Sequence, residues 1–473
     1  MLPRGPTNTW DRAQAQLKVR HDPGGSMQPA THAADNSNIN VAGVQWTTVP
    51  ARWNPATKIA FRFAFVYFLL YNLFIPLHLL PFPPFSQIYR LYSWLSSIAV
   101  RWVSVHVLFL KHNFATDYLN TSAQSKDTTF DYVQALCFLI IAVLATVIWS
   151  LLDRRRQNYQ WLHKWFMVYL RLSLAAAMIP YGAAKIVPAQ FPAPTLSRMF
   201  DTYGNSSPAS LLWTFMGASR SYSIFGGAAE LIGGLLLVVP RLATLGALIS
   251  AAVMANVLML NVGYDVAVKL GSIHLVLMAL IIVLPDGLQL VDFFVRHRTA
   301  RLTPIPPLVR KIWLNRAFVV LQIAFGFVLL VHDLQQWHHM AAQIEADKNT
   351  ALFGIWSVDD FNFDMHPAPP LLSDTLRWQR FIVETTDGAA IQGMTGSLQY
   401  VYFHPSPGGK SFTLTRYGDP DWVAEFTYDN AGPDHLVLTG TLNGRAASIR
   451  LHKEDESKFP LKSNGFRWVQ DAQ

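Results

Sequence analysis

The chain divides into two parts by the period of its hydrophobic positions. From about residue 56 to 340, long apolar runs alternate with short polar connections, and several runs reach the roughly 20 residues that a membrane-crossing helix needs. From about residue 350 to 473, short runs alternate apolar and polar positions, as strands with one buried face do. We predict a polytopic helical membrane domain followed by a small antiparallel β-barrel or β-sandwich. Residues 1 to about 55 show neither pattern and are expected to form a disordered tail.

The apolar runs predict about seven membrane spans. Pro76 would kink the first of them. Residues 91–110 are apolar but follow Arg90 and contain Arg101, which favours a helix lying in the membrane interface over one that crosses. The predicted spans are residues 63–82, 132–152, four segments between Trp165 and Pro285, and 317–333.

Basic residues in the connections predict the orientation of these spans. Arg154 to Arg156, Arg241 and the run from Arg296 to Arg316 fall on one side, which the positive-inside rule assigns to the cytoplasm. The N-terminus is then cytoplasmic and the β-domain lies on the opposite side of the membrane. A crossing by residues 91–110 would invert every later segment and place the arginine-rich connections outside.

Composition supports the membrane assignment and narrows the chemistry. Hydrophobic residues make up 51% of the chain and charged residues 14%, which is too apolar for an ordinary soluble protein. The net charge of +8 comes largely from the connections between spans, so we do not expect nucleic-acid binding. A single cysteine, Cys137, excludes an intramolecular disulfide, and no spacing typical of a metal, phosphate-loop or haem site occurs. Met27 is an alternative start.

Two short motifs refine the β-domain. Asn443-Gly444 between two alternating runs predicts a tight two-residue hairpin. Gly354-Ile355-Trp356 resembles the glycine-x-tryptophan start of lipocalin-like barrels, and a core tryptophan beside a turn explains it equally well.

Five ionisable residues within or beside the apolar runs are the candidate site. A charge at bilayer depth costs about 2.5 to 3.5 kcal/mol, so such groups usually face the protein interior and find partners. We therefore expect them to pair within a polar pocket roofed by residues 190–222, with Glu230 deepest. The candidates are Lys185, Glu230, Asp265, Lys269 and His274.

Each candidate also has a purely structural interpretation. Asp265 and Lys269 stand four residues apart and could form an ion pair at a helix end. Lys185 could extend its ammonium group to the membrane interface, and His274 could simply hydrogen-bond a neighbour. Glu230, far from both ends of its run, has to be protonated, paired or facing water.

The central four segments resemble the DoxX-like membrane proteins. The resemblance rests on Gly182 to Lys185 at the end of one span, Glu230 before Gly233-Gly234 in the next, and Arg241 before a small-residue helix. It covers about residues 165–290. The arrangement of these segments with the preceding spans also resembles, more distantly, the membrane domain of vitamin K-dependent carboxylases. The resemblance implies a four-helix core in a bacterial inner membrane, and some relatives are linked to quinone-coupled oxidation.

Three functions follow as hypotheses. The first is an oxidoreductase whose pocket takes a quinone or another lipophilic cofactor, with Lys185 or His274 passing protons and Glu230 accepting them. The second is a protein that binds or transports a lipid or small apolar molecule through the β-domain. The third is an assembly factor whose β-domain docks a partner protein.

Overall fold

The computed structural model of the chain describes residues 52–73, 83–110, 127–299, 307–350, 352–432, 434–463, 465 and 468–469. Most of the predicted N-terminal tail, Met27 and the predicted kink at Pro76 lie outside these residues. The helices are α1 (Pro55–Tyr71), α2 (Pro83–His106), α3 (Thr129–Leu152), α4 (Gln160–Ile186), α5 (Pro208–Ala218), α6 (Arg220–Val238), α7 (Ala243–Gly263), α8 (Lys269–Val283), α9 (Gly287–Phe294), α10 (Ile312–Ala346) and α11 (Pro460–Ser463).

Within the described residues, six helical segments are long and apolar enough to cross a membrane by their length and composition. They are α3, α4, α6, α7 with its preceding turn, α8 continued by α9, and α10. Helix α1 is described over 17 residues and its apolar run continues beyond Tyr71, so the predicted count of seven stays a prediction. Residues 91–110, expected at the interface, fall mainly within the separate helix α2, which is not among the six.

Helix α4 is the centre of the bundle and the most buried of the six segments. It packs against α6, α8 and α10, while α7 packs between α6 and α8. The faces that meet carry small residues: Gly233 of α6 lies against Ser250 of α7, and a Cβ on Gly246 of α7 would lie 2.7 Å from the backbone nitrogen of Leu237. Small residues at such crossings let membrane helices approach closely.

The β-domain is a closed barrel of eight antiparallel strands. Each strand pairs with the next along the chain in the order β1 and β3 to β9, β9 pairs back with β1, and β2 pairs with β1 alone. The strands are β1 (Gly354–Phe363), β2 (His366–Pro367), β3 (Trp378–Val383), β4 (Gly388–Gly393), β5 (Leu398–Pro405), β6 (Ser411–Arg416), β7 (Asp419–Gly432), β8 (His435–Leu442) and β9 (Arg445–Lys453).

The predicted hairpin at Asn443-Gly444 is confirmed. Leu442 pairs with Arg445, and Asn443 and Gly444 have φ values of 51° and 75°. Positive φ at both central positions is what a type I′ turn requires, and this turn matches the twist of the strands it joins. Trp356 is also a core residue of the barrel, with its Nε1 donating to the carbonyl of Leu352 at 2.8 Å.

Aromatic side chains fill the interior of the barrel. Phe412 occupies the centre, with its ring centroid 5.2 Å from that of Phe403, 5.7 Å from Phe381 and 5.9 Å from Phe426. All four rings are fully buried, and Trp378 packs against Phe381 and Phe426. This barrel is therefore a packed body in its described part, and its stability comes from buried apolar area.

The outer wall of the barrel packs on the connection between α4 and α5. Leu196 is buried among Ile355, Ile382 and Ala390, which point outward from β1, β3 and β4. The Arg380 guanidinium lies 4.6 Å from the centroid of the Phe200 ring. The backbone nitrogen of Ser197 donates to Glu384 Oε1 at 2.6 Å. We call residues 196–200 the docking segment.

Candidate functional site in the helical bundle

Lys185 and Glu230 form a buried ion pair. Lys185 Nζ lies 2.7 Å from Glu230 Oε1 and 2.6 Å from Oε2, so the ammonium donates to both carboxylate oxygens. Glu230 is 1% exposed and Lys185 9% exposed. Glu230 was expected to be protonated, paired or facing water, and the structure shows it paired. The Lys185 side chain points into the bundle toward Glu230.

The close approach of α4 and α6 brings the two charges together. A Cβ on Gly182 would lie 2.8 Å from the carbonyl oxygen of Gly227, and a Cβ on Gly227 would lie 2.7 Å from that of Gly182. Lys185 and Glu230 each follow their glycine by three residues, about one helical turn. The glycines thus set the spacing at which a lysine can reach a glutamate on the neighbouring helix.

Tyr181 lies beside the ion pair at the bundle surface. Its ring centroid is 5.8 Å from Lys185 Nζ, within range of a cation–π interaction. The ring is 38% exposed, and its hydroxyl makes no hydrogen bond within the described part of the chain. Tyr181 is therefore the member of this group that a molecule in the surrounding lipid can reach.

His274 is buried between α8 and α1, and both of its ring nitrogens have partners. Nδ1 lies 2.7 Å from the carbonyl oxygen of Leu270, so Nδ1 carries the hydrogen and donates it. Nε2 lies 2.6 Å from the Tyr67 hydroxyl, which then donates to it. The Tyr71 ring stacks on the imidazole with centroids 3.8 Å apart and planes 4° apart. This neutral imidazole joins two helices, as the structural interpretation expected.

Asp265 and Lys269 form the ion pair at the helix end. Lys269 Nζ lies 2.7 Å from Asp265 Oδ1, and the Asp265 side chain is 83% exposed. The hydrogen bond and the charge of Lys269 lower the pKa of the Asp265 carboxyl. Exposed pairs of this kind contribute little to stability. The position of Asp265 and Lys269 at the end of α8 is enough to explain why two charged residues occur there.

Asp127 caps α8 and was not identified from the sequence. Its carboxylate accepts from the backbone nitrogens of Lys269 at 2.7 Å and Leu270 at 2.9 Å. These are the first two nitrogens of a helix whose own N-cap residue, Val268, makes no side-chain cap. A carboxylate here also meets the positive end of the helix dipole. Asp127 is 142 residues from Lys269 in the sequence, so local capping signals could not reveal it.

Asp127→Ala is expected to lower the free energy of unfolding by about 1–2 kcal/mol, because two backbone donors lose their acceptor. Denaturant titration of the purified protein in detergent measures the loss. Asp265→Asn is the matched control and is expected to leave the transition unchanged, because it removes an exposed charge and keeps a residue type that tolerates the φ of 52° at this position. Equal stability of the Asp127 variant and the wild type would contradict this assignment.

The structure places the candidate residues in three groups. Tyr181 adjoins the Lys185–Glu230 pair, and Tyr71 stacks on His274. The structure places the Asp265–Lys269 pair at the end of α8, with Lys269 Nζ 3.9 Å from Asp127 Oδ2.

Residues 190–222, expected to roof the pocket, divide into two parts in the structure. The docking segment packs on the barrel, and α5 packs against α6. Arg198 and Asp201 form an ion pair with each other. The segment therefore links the barrel to the bundle directly beyond the end of α4.

Two buried arginines lie outside the candidate set. Arg62 of α1 is 4% exposed and donates to the Tyr159 hydroxyl at 2.6 Å and to Ser150 Oγ at 2.7 Å. Arg171 of α4 is 8% exposed and donates to Gln322 of α10. The apolar runs gave no signal for their partners, which lie 88 to 151 residues away along the chain.

The histidines at the end of α10 do not assemble a metal site in the described chain. His332 Nδ1 lies 3.6 Å from Asp333 Oδ1. No group of three or more His, Cys, Asp and Glu side chains that could hold a metal ion occurs within the ranges described above.

Comparison with known proteins identifies one informative relative. The uncharacterized protein YwoB of Bacillus subtilis is 34% identical over 124 residues, which are 26% of this chain and 79% of the relative. No family model matches the chain, and no solved structure does. The resemblance to DoxX-like proteins and carboxylases therefore stays a prediction.

Proposed function

The chain belongs to the family of the uncharacterized Bacillus subtilis protein YwoB, and from the geometry of the site we propose that the helical bundle binds a lipophilic molecule with a carbonyl-bearing head group, such as a quinone. The membrane in this proposal is a bacterial inner membrane, with the N-terminus in the cytoplasm and the barrel on the other side.

The observation that carries the proposal is the exposed Tyr181 beside a buried ion pair. An entering head group needs hydrogen-bond donors for its carbonyl oxygens, and the Tyr181 hydroxyl is unengaged in the described structure. Lys185 and Glu230 behind it form a complete ion pair, which can exchange a proton without leaving a net charge in the bundle. The Tyr71 ring adds an aromatic surface on which a planar head group can stack.

A barrel that receives an apolar ligand in its interior has less support. Phe381, Phe403, Phe412 and Phe426 are buried against one another there. The lipid-facing side of the bundle is the better entrance, because a lipophilic molecule reaches it from within the membrane. An assembly role for the barrel remains a separate hypothesis that rests on its outer wall.

The test is binding of a short-chain ubiquinone analogue to the full chain in detergent. Quenching of tryptophan fluorescence by the bound analogue measures the affinity. Wild-type protein is expected to show saturable quenching, and Tyr181→Phe to bind about 2- to 10-fold more weakly through loss of one hydrogen bond. Tyr222→Phe, on the exposed surface of α6, is the matched control and should bind as the wild type does. Absence of saturable quenching, or equal affinity of all three proteins, would overturn the proposal.

A further inference from the structure

A depression of about 440 Å³ lies on the outer wall of the barrel. It is lined by Glu384, Gly388, Ala389, Tyr400, Val401 and Tyr417. None of these six residues carries a positive charge.

Strand register explains why the wall is concave there. Gly388 of β4 pairs with Tyr402 of β5, and Ala390 of β4 pairs with Tyr400. Side chains two positions apart on a strand lie on the same face of the sheet. The small residues of β4 and the large tyrosine side chains of β5 therefore all lie on the outer face. The depression is the space above Gly388, lined by the rings of Tyr400 and Tyr417 and by Glu384.

The tyrosines form an exposed aromatic group. The rings of Tyr402 and Tyr417 lie 3.9 Å apart, and Tyr400 is 47% exposed. Partial burial raises the pKa of the Tyr417 hydroxyl, and the nearby Tyr402 and Asp387 act in the same direction. The Tyr417 hydroxyl therefore stays neutral at physiological pH, and its ring keeps the negative face that attracts cations.

A carboxylate completes the site. Glu384 Oε1 accepts from Ser197 of the docking segment, and within the described residues no hydrogen bond engages Oε2. The lining thus combines one carboxylate with the rings of Tyr400 and Tyr417 and contains no basic residue. Such a surface suits a cation with an apolar shell.

We propose that this depression, beside the contact between barrel and bundle, binds an organic ammonium group, with the Tyr400 and Tyr417 rings contacting its alkyl shell and Glu384 balancing its charge. The group belongs either to a dissolved amine or to the head group of a membrane lipid. This inference is independent of the proposed quinone site, because all the residues that it uses belong to the barrel.

The experiment is equilibrium dialysis of labelled choline against the full chain in a maltoside detergent. Wild-type protein is expected to bind choline saturably, and Tyr417→Ala to bind it roughly 3- to 30-fold more weakly. Glu384→Gln keeps an oxygen for Ser197 but removes the charge, and is expected to weaken choline binding similarly. Glu425→Gln, an exposed carboxylate on β7, is the matched control and should bind as the wild type does.

A second ligand separates charge recognition from simple apolar binding. The uncharged isostere 3,3-dimethylbutan-1-ol has the shape of choline and should fail to compete with it. Equal competition by this alcohol, or no saturable choline binding up to about 10 mM, would overturn the inference. Unchanged thermal unfolding of the variants shows that any loss is local.

Reconstitution distinguishes the two sources of the ammonium group. In nanodiscs of phosphatidylglycerol, choline should bind as it does in detergent. If lipid head groups reach the depression, nanodiscs containing phosphatidylcholine should weaken choline binding by competition. Equal choline affinity in both nanodiscs would assign the site to dissolved amines, and both results support an ammonium site.

Discussion

Lys185→Met or Glu230→Leu alone is expected to lower the free energy of unfolding by about 3–5 kcal/mol, because each leaves one charge buried without its partner. The double variant is expected to recover most of this loss, since two apolar side chains replace a pair whose desolvation is itself costly. Circular dichroism along a denaturant series in detergent gives the free energy of unfolding of the wild type, the two single variants and the double variant.

The exposed pair provides the control for this cycle. Asp265→Asn removes the charge of a carboxylate that is also ion-paired to a lysine, but in contact with solvent, and should leave the unfolding transition unchanged. If the double variant loses as much free energy of unfolding as the two single variants together, Lys185 and Glu230 are not coupled. Such additivity would contradict the geometry of the pair.

Gly227→Ala is expected to destabilise the bundle by about 1–3 kcal/mol, because its new methyl group meets backbone on the facing helix. The Cβ would lie 2.7 Å from the carbonyl oxygen of Gly182 and 2.7 Å from the Cβ of Lys185. Since the backbone of α4 cannot move aside without tilting the helix, the ion pair one turn away should loosen as well. The same unfolding assay reports the change.

The neighbouring glycine is an unusually close control. A Cβ on Gly226 would meet nothing within 4 Å, so Gly226→Ala should be neutral or stabilising through its better helix propensity. Both substitutions add one methyl group to α6 at adjacent positions. Equal effects of the two would mean that contact between α4 and α6 does not determine the result.

Local patterns predicted the elements of this fold well because their causes are local. Alternation along the strands and the Asn443-Gly444 turn identified the antiparallel domain, since both depend on residues a few positions apart. Closure into a barrel depends on β1 meeting β9 across the whole domain, and the sequence left barrel and sandwich open. The predicted count of spans depends on α1, whose described part ends at Tyr71.

Candidate residues were found by the cost of burying charge, and their partners were found only by the structure. The expectation that Glu230 needs a partner follows from its depth in an apolar run. The partners of His274 and Lys269 include Tyr67, 207 residues away, and Asp127, 142 residues away. A neutral tyrosine in an aromatic run and a carboxylate in a polar connection both look ordinary in a sequence. Long-range geometry alone distinguishes them.

The order of strands has a consequence for how the protein is made. Docking uses the outer wall of β1, β3 and β4, which are among the first barrel strands to leave the ribosome, and their partner segment 196–200 is synthesised earlier still. β9, which closes the cylinder against β1, emerges last. The bundle can therefore hold the growing sheet by its outer face, while the edge of β1 that pairs with β9 stays open until the last barrel strand is made. An open strand edge can pair with other chains, so attachment to the bundle limits the freedom of the sheet during the period of greatest risk.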